Sequence, residues 1–414
     1  MEKEKLSEFN DWWLTGRVPE ELLEEYKRKL FKEIIKILGK RQIVTILGLR
    51  RTGKTTLMYQ LIDHLLKKTK KNNILYFSFD ESIKELDDVL DTYREITGKD
   101  FREEKVFVFL DEIQKLGNWQ NHIKKYYDLY PKIKFIVSGS ESLFIGKKIK
   151  ETLAGRIYEL LLNTLSFKEF LEMKKINTKK EHAIKIKSYF RQYVEKGGFP
   201  EIVNENDINE IRRYVRSSVI DKIIFKDILK LSGIRDIDLL TIILELIAST
   251  PGMYLEYNSL AQQLGRDRRL IKEYIMLLKE GFIIKILGNY RKGKIASLRK
   301  MKRVYISDNG IITAYKPITD DTFFGKMVEN AVINFLNPEF FWKNSREVDA
   351  VLDGIPVEIK YKPKIISSDL LGLREFMKKF GKKKGILLTR NDEKTIKVKE
   401  GVIDCVPAWK FLLD

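Results

Sequence analysis

One nine-residue stretch limits what this chain can fold into more than any other feature of its sequence. It reads Gly48-Leu-Arg-Arg-Thr-Gly53-Lys54-Thr55-Thr56 and matches the pattern G-x-x-x-x-G-K-[ST] at every required position. An apolar segment, Ile43–Leu47, precedes it, and a helical pattern at residues 56–66 follows it. Strand, loop and helix in this order form the context in which the motif holds the phosphates of a nucleotide. The sequence therefore predicts an α/β domain with a P-loop.

The residue types in the loop suit a triphosphate. Glycines let the backbone approach closely, so that its N–H groups and the helix amino terminus face the anion. We expect Lys54 to lie between the β- and γ-phosphates and the Thr55 hydroxyl to ligate Mg²⁺, so ATP and Mg²⁺ are the predicted cofactors. The predicted nucleotide-binding residues are Gly48, Leu49, Arg50, Arg51, Thr52, Gly53, Lys54, Thr55 and Thr56.

Two acidic residues follow a second apolar strand, "VFVFL", further along the chain. Asp111 is the predicted second ligand of the nucleotide's Mg²⁺, and Glu112 the predicted general base for the attacking water. A later strand, "KFIVSGS", supplies Ser138, which we expect to sense the γ-phosphate in preference to Ser140. Arg156 is a candidate cation for that phosphate, from the same chain or from a neighbouring copy. The alternative for Ser138 and Arg156 is that they are ordinary turn residues.

The strands that carry these residues belong to a longer alternation of strands and helices, typical of a parallel sheet. Five strands are predicted, at residues 42–47, 73–79, 105–110, 134–138 and 156–162.

Several segments taken jointly resemble one known family. The segments "GLRRTGKTTL", "FLDEIQ", "FIVSGSES", "LAGRIYELLLNTLSFKEF" and "GGFPEIV" look like the archaeal-type ATPases, which are similar to AAA+ and STAND ATPases. The resemblance covers roughly residues 10 to 360. It implies ATP hydrolysis and a P-loop sheet in the order 5-1-4-3-2, often followed by a winged helix and a restriction-endonuclease-like domain.

Five regions are expected along the chain. They are a helical lead-in at 1–40, an ATPase core at 41–165, a helical lid at 166–235, a winged helix-turn-helix at 236–310 and a small α/β domain at 318–414.

Positive charge is concentrated in the predicted winged helix. The chain carries 78 Lys and Arg against 59 Asp and Glu, and residues 265–303 alone hold 13 of the cations against three acids. Such a segment favours double-stranded DNA as a partner, with Asp267 capping the helix that would enter the groove. A lysine-rich surface of a heat-adapted protein, or a winged helix that contacts proteins, is the alternative. The predicted DNA-binding residues are Arg266, Arg268, Arg269, Lys272, Arg291 and Lys292.

The last region resembles the PD-(D/E)xK nuclease core. Period-two alternation places Glu358 and Lys360 on one face of a strand, with Asp349 on the preceding strand and Glu329 on an upstream helix. In that core Asp349 and Glu358 would hold Mg²⁺, and Lys360 would help to activate water. The proline of the family's motif is missing, because Arg346-Glu-Val precedes Asp349.

The first hypothesis is a cytoplasmic ATPase that binds DNA and whose nucleotide state controls the later domains. A regulatory switch with slow turnover and protein partners is one alternative, and an ATP-gated metal-dependent endonuclease is another. A single cysteine, Cys405, no apolar leader and no long apolar stretch favour the cytoplasm and exclude a membrane partner. Assembly into a homo-oligomer stays open.

Overall fold

Two sheets organise the chain, one in each of the units Met1–Asn163 and Thr164–Asp414. The protein is described by a computed structural model that covers residues 1–81, 85–139, 152–228, 236–291 and 301–413. No helix in those ranges is long and apolar enough to cross a membrane.

The first unit contains a fully parallel sheet in the order β2-β3-β4-β1-β5. Its strands are β1 (Ile43–Leu47), β2 (Ile74–Ser78), β3 (Val106–Asp111), β4 (Ile133–Gly139) and β5 (Ile157–Leu161). Every residue of β1, β3 and β4 is buried, which explains the continuous apolar runs of the sequence. The predicted strands and their order are confirmed.

The amino-terminal segment covers the outer edge of this sheet. Asn10 bonds both backbone groups of Tyr76 in the edge strand β2. Its side-chain amide donates to the Tyr76 carbonyl at 2.9 Å, and its side-chain oxygen accepts from the Tyr76 N–H at 2.7 Å. Trp13 donates to the Ile74 carbonyl at 2.8 Å. Side chains thus satisfy part of an edge that would otherwise be open to pairing with another chain. The helices of the unit are Lys3–Glu8, Trp12–Thr15, Lys29–Ile37, Lys54–Leu66, Leu86–Thr97 and Trp119–Leu129.

The second unit contains a nine-stranded mixed sheet in the order β13-β14-β12-β11-β10-β9-β7-β8-β6. Its strands are β6 (Met253–Tyr254), β7 (Ile284–Asn289), β8 (Lys302–Ile306), β9 (Phe340–Lys343), β10 (Glu347–Leu352), β11 (Ile355–Lys360), β12 (Lys384–Thr389), β13 (Lys394–Val398) and β14 (Gly401–Pro407).

One pairing in this sheet joins two of the predicted regions. Strand β7 runs parallel to β9, with Gly288 opposite Phe340 and Asn289 opposite Phe341. The hairpin of the predicted winged helix and the strands of the predicted α/β domain therefore share one sheet. The division of the chain into five functional regions stays a prediction.

Helices surround this sheet. They are Phe167–Met173, Ala183–Lys196, Ile208–Tyr214, Ile237–Ser249, Tyr257–Leu264, Arg268–Glu280, Asn309–Tyr315, Asp321–Leu336, Leu371–Phe380 and Ala408–Phe411, with wider π-helical turns at Val215–Ile220 and Lys222–Ile228.

Candidate functional site

The loop after β1 has a backbone that only glycine can provide at two positions. Gly48 has φ +155°, and a Cβ added there would lie 2.3 Å from the Leu162 carbonyl oxygen. Gly53 has φ +89° and leads directly into the helix Lys54–Leu66. Since L side chains rarely adopt these conformations, the glycines of the motif fix the shape of the loop.

The side chain of Lys54 lies inside the loop that it follows. Its Nζ donates to the carbonyl oxygens of Gly48 at 3.1 Å and Leu49 at 2.9 Å, and the side chain is buried. Thr52 Oγ1 donates to the same Leu49 oxygen at 2.9 Å. The loop is therefore wrapped around a positive charge, as the motif predicts for a triphosphate site.

Asp111 gathers hydroxyl groups from three elements. Thr55 Oγ1 donates to its Oδ2 at 2.5 Å, the Tyr76 hydroxyl donates to Oδ2 at 3.2 Å, and Ser138 Oγ donates to Oδ1. Strands β1, β3 and β4 are parallel neighbours, so residues at their carboxyl ends meet at one edge of the sheet. The structure thus brings together Lys54, Thr55, Asp111 and Ser138, as the sequence predicts.

Glu112 is held in an unusual backbone conformation beside Asp111. Its φ is +50° and its ψ +40°, a left-handed conformation that is uncommon for glutamate. Its N–H donates to Asp111 Oδ1 at 3.0 Å, and the Gln114 amide donates to its carboxylate. Burial and the charge of Asp111 raise the pKa of Glu112, while Lys54 opposes the shift. The carboxylate is thus fixed next to the predicted metal ligand, where a general base would stand.

Arg156 lies where the strands of the sheet begin, at the end opposite the loop. It immediately precedes β5, whose first residue Ile157 pairs with Ile43 at the start of β1, whereas the loop follows Leu47 at the end of β1. Its side chain pairs with Asp128 at 3.1 Å. Four residues of extended strand span about 13 Å, so the prediction that Arg156 contacts the γ-phosphate of its own chain does not fit. A role from a neighbouring copy stays a prediction.

Two buried residues of this site were not found from the sequence. Tyr76 stands in the middle of an apolar strand, yet its hydroxyl reaches Asp111. Arg28 donates to the carbonyls of Thr52 at 3.1 Å and Asn163 at 2.8 Å, so it ties the loop to the segment after β5. A tyrosine in an apolar strand next to the one that ends in Asp111 could have indicated the first, whereas Arg28 lies in a run of charged residues that hides it.

In the second unit, the four residues predicted for a nuclease site also meet. Glu329, Asp349 and Glu358 are each at least 94% buried, Lys360 Nζ lies 2.5 Å from Glu358 Oε1, and the Ile359 N–H donates to Asp349 Oδ2 at 2.8 Å. They line a cleft of about 930 Å³. The two predicted strands are present as β10 and β11, joined by a turn at Asp353 and Gly354, both with positive φ.

A fifth residue, which the sequence did not suggest, sits among these carboxylates. Arg303 is 3% exposed, and its guanidinium bonds Glu329, Glu347 and Asp349. Burial opposes the charged form of Asp349, but Arg303 and Lys360 outweigh it, so the pKa of Asp349 is lowered. Burial and the charge of Asp349 raise the pKa of Glu358 well above its usual range. Within the described ranges, no group of three or more His, Cys, Asp or Glu is arranged to hold a metal ion.

The basic segment folds into the predicted order of three helices and a hairpin. The helix Arg268–Glu280 begins after Asp267, whose side chain accepts from the Arg269 N–H at 2.7 Å. The helix Tyr257–Leu264 follows Glu256 and ends at Gly265. That this fold is a winged helix stays a prediction.

The six predicted DNA-binding residues are in different environments. Arg268, Arg269 and Lys272 are exposed on the third helix. Arg266 pairs with Asp236 at 3.2 Å, and Arg291 donates to the Lys343 carbonyl at 3.0 Å. Lys292 lies outside the described residues, as does Ser140. Three of the six are thus displayed together on one helix.

Two family models match parts of the chain. Residues 40–171 match a family described as an AAA domain, and residues 187–322 match a domain of unknown function. The first match covers the P-loop, Asp111, Glu112 and the parallel sheet. This part of the chain is therefore similar to an AAA domain, and its motif and strand order are those of a P-loop ATPase fold.

Two relatives that are about a quarter identical align with most of the chain. An uncharacterized protein of Methanocaldococcus jannaschii is 26% identical over 94% of this chain and 92% of its own length. A second uncharacterized protein of that organism is 27% identical over 88% of this chain and 80% of its own. Among solved structures, a Walker-type ATPase of Pyrococcus abyssi aligns with 72% of this chain and 97% of its own at 14% identity and a TM-score of 0.46.

Proposed function

We propose that the protein binds ATP with Mg²⁺ and hydrolyses it at the edge of the five-stranded sheet. One observation carries the proposal: the Thr55 hydroxyl and the Asp111 carboxylate, 56 positions apart in sequence, lie 2.5 Å from each other. The motif predicts both as ligands of the same metal ion, and a hydroxyl and a carboxylate are the hard oxygen ligands that Mg²⁺ prefers. The residues present therefore fit the cofactor.

Each residue of the site has a role in this proposal. Lys54 exchanges the carbonyl oxygens of Gly48 and Leu49 for phosphate oxygens, and the N–H groups of residues 48–56 bind the remaining phosphate charge. Bound Mg²⁺ neutralises charge on the β- and γ-phosphates. Ser138, bonded to Asp111, is placed to respond to the γ-phosphate.

Glu112 is the residue that makes this site a hydrolase rather than a binding site. Its carboxylate accepts a proton from the attacking water, and the bond from Gln114 fixes its orientation. Removing only this base should leave nucleotide binding intact.

Steady-state ATPase activity tests the proposal. Glu112→Gln should retain ATP affinity and lose hydrolysis by at least about 100-fold, because general bases contribute about 10²–10⁴-fold. Glu33→Gln, on an exposed glutamate of the helix Lys29–Ile37, is the matched control and should behave as wild type. Equal hydrolysis by Glu112→Gln and wild type would remove the assignment.

The exposed face of the helix Arg268–Glu280 supports a second function, binding of double-stranded DNA. Ile271, Ile275 and Leu278 are buried on one side, while Arg268, Arg269 and Lys272 project from the other. A helix packed on one face and cationic on the other suits the phosphates of a groove. The nucleotide state would then control this contact. A regulatory switch that contacts proteins through the same face is the rival.

Salt dependence separates these two. DNA binding should weaken linearly in log affinity against log salt, with a slope near −0.9 for each phosphate contact. Changing Arg268, Arg269 and Lys272 together to Gln should flatten the slope by about two to three. Changing three exposed lysines, Lys394, Lys397 and Lys399, in the same way should leave it unaltered. No DNA binding by wild type at low salt would favour the switch.

A further inference from the structure

The acidic cluster of the second unit already contains a cation. Arg303 Nη1 lies 2.9 Å from Asp349 Oδ1 and 2.9 Å from Glu347 Oε1, and its Nη2 lies 2.5 Å from Glu329 Oε1. Its Nε donates to the Gly252 carbonyl at 2.8 Å. All three nitrogens of one guanidinium are therefore engaged, at a place where a nuclease core would hold Mg²⁺.

The surroundings of Arg303 are built to keep it there. The guanidinium lies 5.2 Å from the ring centre of Tyr305 and 5.9 Å from those of Tyr254 and Phe341. The Tyr305 hydroxyl also donates to Glu329 Oε1 at 2.9 Å. A Cβ on Gly252 would lie 2.7 Å from Arg303 Nη2, so the glycine leaves room for the side chain. Flat cations stack on aromatic rings in this way and lose little freedom in such a pocket.

A divalent ion bound to Asp349 would have to compete with this group. Mg²⁺ binds oxygen at about 2.0–2.1 Å and Mn²⁺ prefers similar ligands, so it would have to share Asp349 with the guanidinium. An arginine side chain does not lose its proton in proteins, so its charge cannot be switched off to make room. Two cations on the same buried carboxylate would repel each other strongly, because the low dielectric of the interior screens them little.

We propose that Arg303 takes the place of the catalytic metal, so that the cleft of this unit binds no divalent ion and does not cleave DNA. The carboxylates Glu329, Glu347 and Asp349 hold the hairpin strand β8 to β10 and to the helix Asp321–Leu336 through this one side chain. Two of the nuclease-like residues, Glu329 and Asp349, are thus kept as part of an ion cluster that joins the hairpin to the α/β part. The proposal is independent of ATP hydrolysis in the first unit.

Binding of Mn²⁺ to the full-length protein tests the inference, with nucleotide absent and with Asp111→Asn in every sample to remove the P-loop metal ligand. The protein with Arg303 in place should bind no Mn²⁺ at Asp349, so a further Asp349→Asn change should not reduce the amount of Mn²⁺ that it binds. Its melting temperature should be the same in Mn²⁺ and in EDTA. Arg303→Ala frees the carboxylates, so this variant should bind Mn²⁺ at least tenfold more tightly than the protein with Arg303 in place. Arg303→Lys keeps a cation and is the matched control that should gain none.

Three outcomes would overturn the proposal. Mn²⁺ bound to the protein with Arg303 in place and lost on Asp349→Asn would overturn the proposal, as would metal-dependent nicking of supercoiled plasmid by wild type that Asp349→Ala abolishes. A folded Arg303→Ala protein that gains no metal would also overturn it. If Arg303→Ala does not fold, the comparison of Asp349→Asn with the Arg303-containing protein decides alone.

Discussion

The hydroxyl of Thr55 donates a hydrogen bond of 2.5 Å to the carboxylate of Asp111. Thr55 lies in the first turn of the helix after the P-loop, and Asp111 is the last residue of β3, so this bond connects two motifs that are distant in sequence. Strand β4 lies between β1 and β3 and adds the Ser138 bond to the same carboxylate. The orientation of Asp111 is therefore fixed from both sides before any nucleotide arrives.

Tyr76 contributes a further bond to this carboxylate, and we predict that it affects Mg²⁺-dependent turnover. Burial and the charge of Asp111 raise the pKa of Tyr76 well above its usual value, so the hydroxyl stays a neutral donor at neutral pH. Tyr76→Phe should lower ATPase activity several-fold at limiting Mg²⁺ and change the free energy of unfolding by only about 1 kcal/mol. Tyr93→Phe removes a similar buried bond, to the Asn72 carbonyl at 2.6 Å, and should leave the Mg²⁺ dependence unaltered. Identical Mg²⁺ titrations of both variants would contradict a role for Tyr76.

Lys54 should affect both ATP binding and stability. Lys54→Ala removes the charge expected to meet the β- and γ-phosphates, so ATP affinity should fall by at least about tenfold. The variant also loses two hydrogen bonds, to the carbonyls of Gly48 and Leu49, and each contributes about 1 kcal/mol to the free energy of unfolding. Calorimetric ATP titration and urea unfolding separate the effects, with Lys36→Ala on an exposed helical position as control. Unchanged ATP affinity would show that Lys54 is not at the phosphates.

Local pattern and resemblance to a family were enough to predict the first unit. Strand β1, the glycines of the loop and the acidic end of β3 all read directly from neighbouring residues, because strands buried on both faces have continuous apolar sequences. Arg156 was misplaced for a topological reason. Its distance from the loop depends on which end of β5 it occupies, and the predicted parallel order of the strands already places the start of β5 beside the start of β1, away from the loop.

Arg303 could not be predicted, because its partners are remote in sequence. It was counted among the 13 cations of residues 265–303 and interpreted as part of a surface charge, yet it is buried. Its partners Glu329 and Asp349 follow 26 and 46 positions later. Only the pairing of the hairpin with β9 brings them together, and no periodicity encodes that pairing. The one local signal was the position of Arg303 inside a strand, between Lys302 and the apolar run "VYI".

Gly48 should be intolerant of any side chain. In Gly48→Ala the new Cβ would meet the Leu162 backbone oxygen at 2.3 Å, and φ +155° disfavours an L residue. The loop must shift, so we expect at least tenfold weaker ATP binding and a loss of about 1–3 kcal/mol in stability. Gly39→Ala adds the same methyl group where nothing lies within 4 Å and should have little effect on either measurement. Fluorescent nucleotide binding and thermal unfolding of the two variants give the comparison. Wild-type affinity in Gly48→Ala would show that the loop does not need this close approach.

Asp308 should make the protein less stable as the pH rises from about 4 to 6. Burial raises its pKa from 3.8 to about 6, although the N–H groups of Gly198 at 2.8 Å and Gly310 at 2.7 Å and the Thr164 side chain favour its charged form. Because the folded-state pKa lies above the unfolded one, the folded state binds the proton more tightly. The resulting stabilisation is complete below pH 4 and is lost as the pH passes 6, an effect of about 3 kcal/mol.

Asp308→Asn cannot titrate, so the difference in unfolding free energy between wild type and this variant isolates the group from all other carboxylates. Urea unfolding at several pH values from 4 to 7.5 should show wild type losing stability relative to the variant over this interval. A difference that stays constant with pH would mean that Asp308 is ionised in the folded protein throughout, held by its three hydrogen-bond donors.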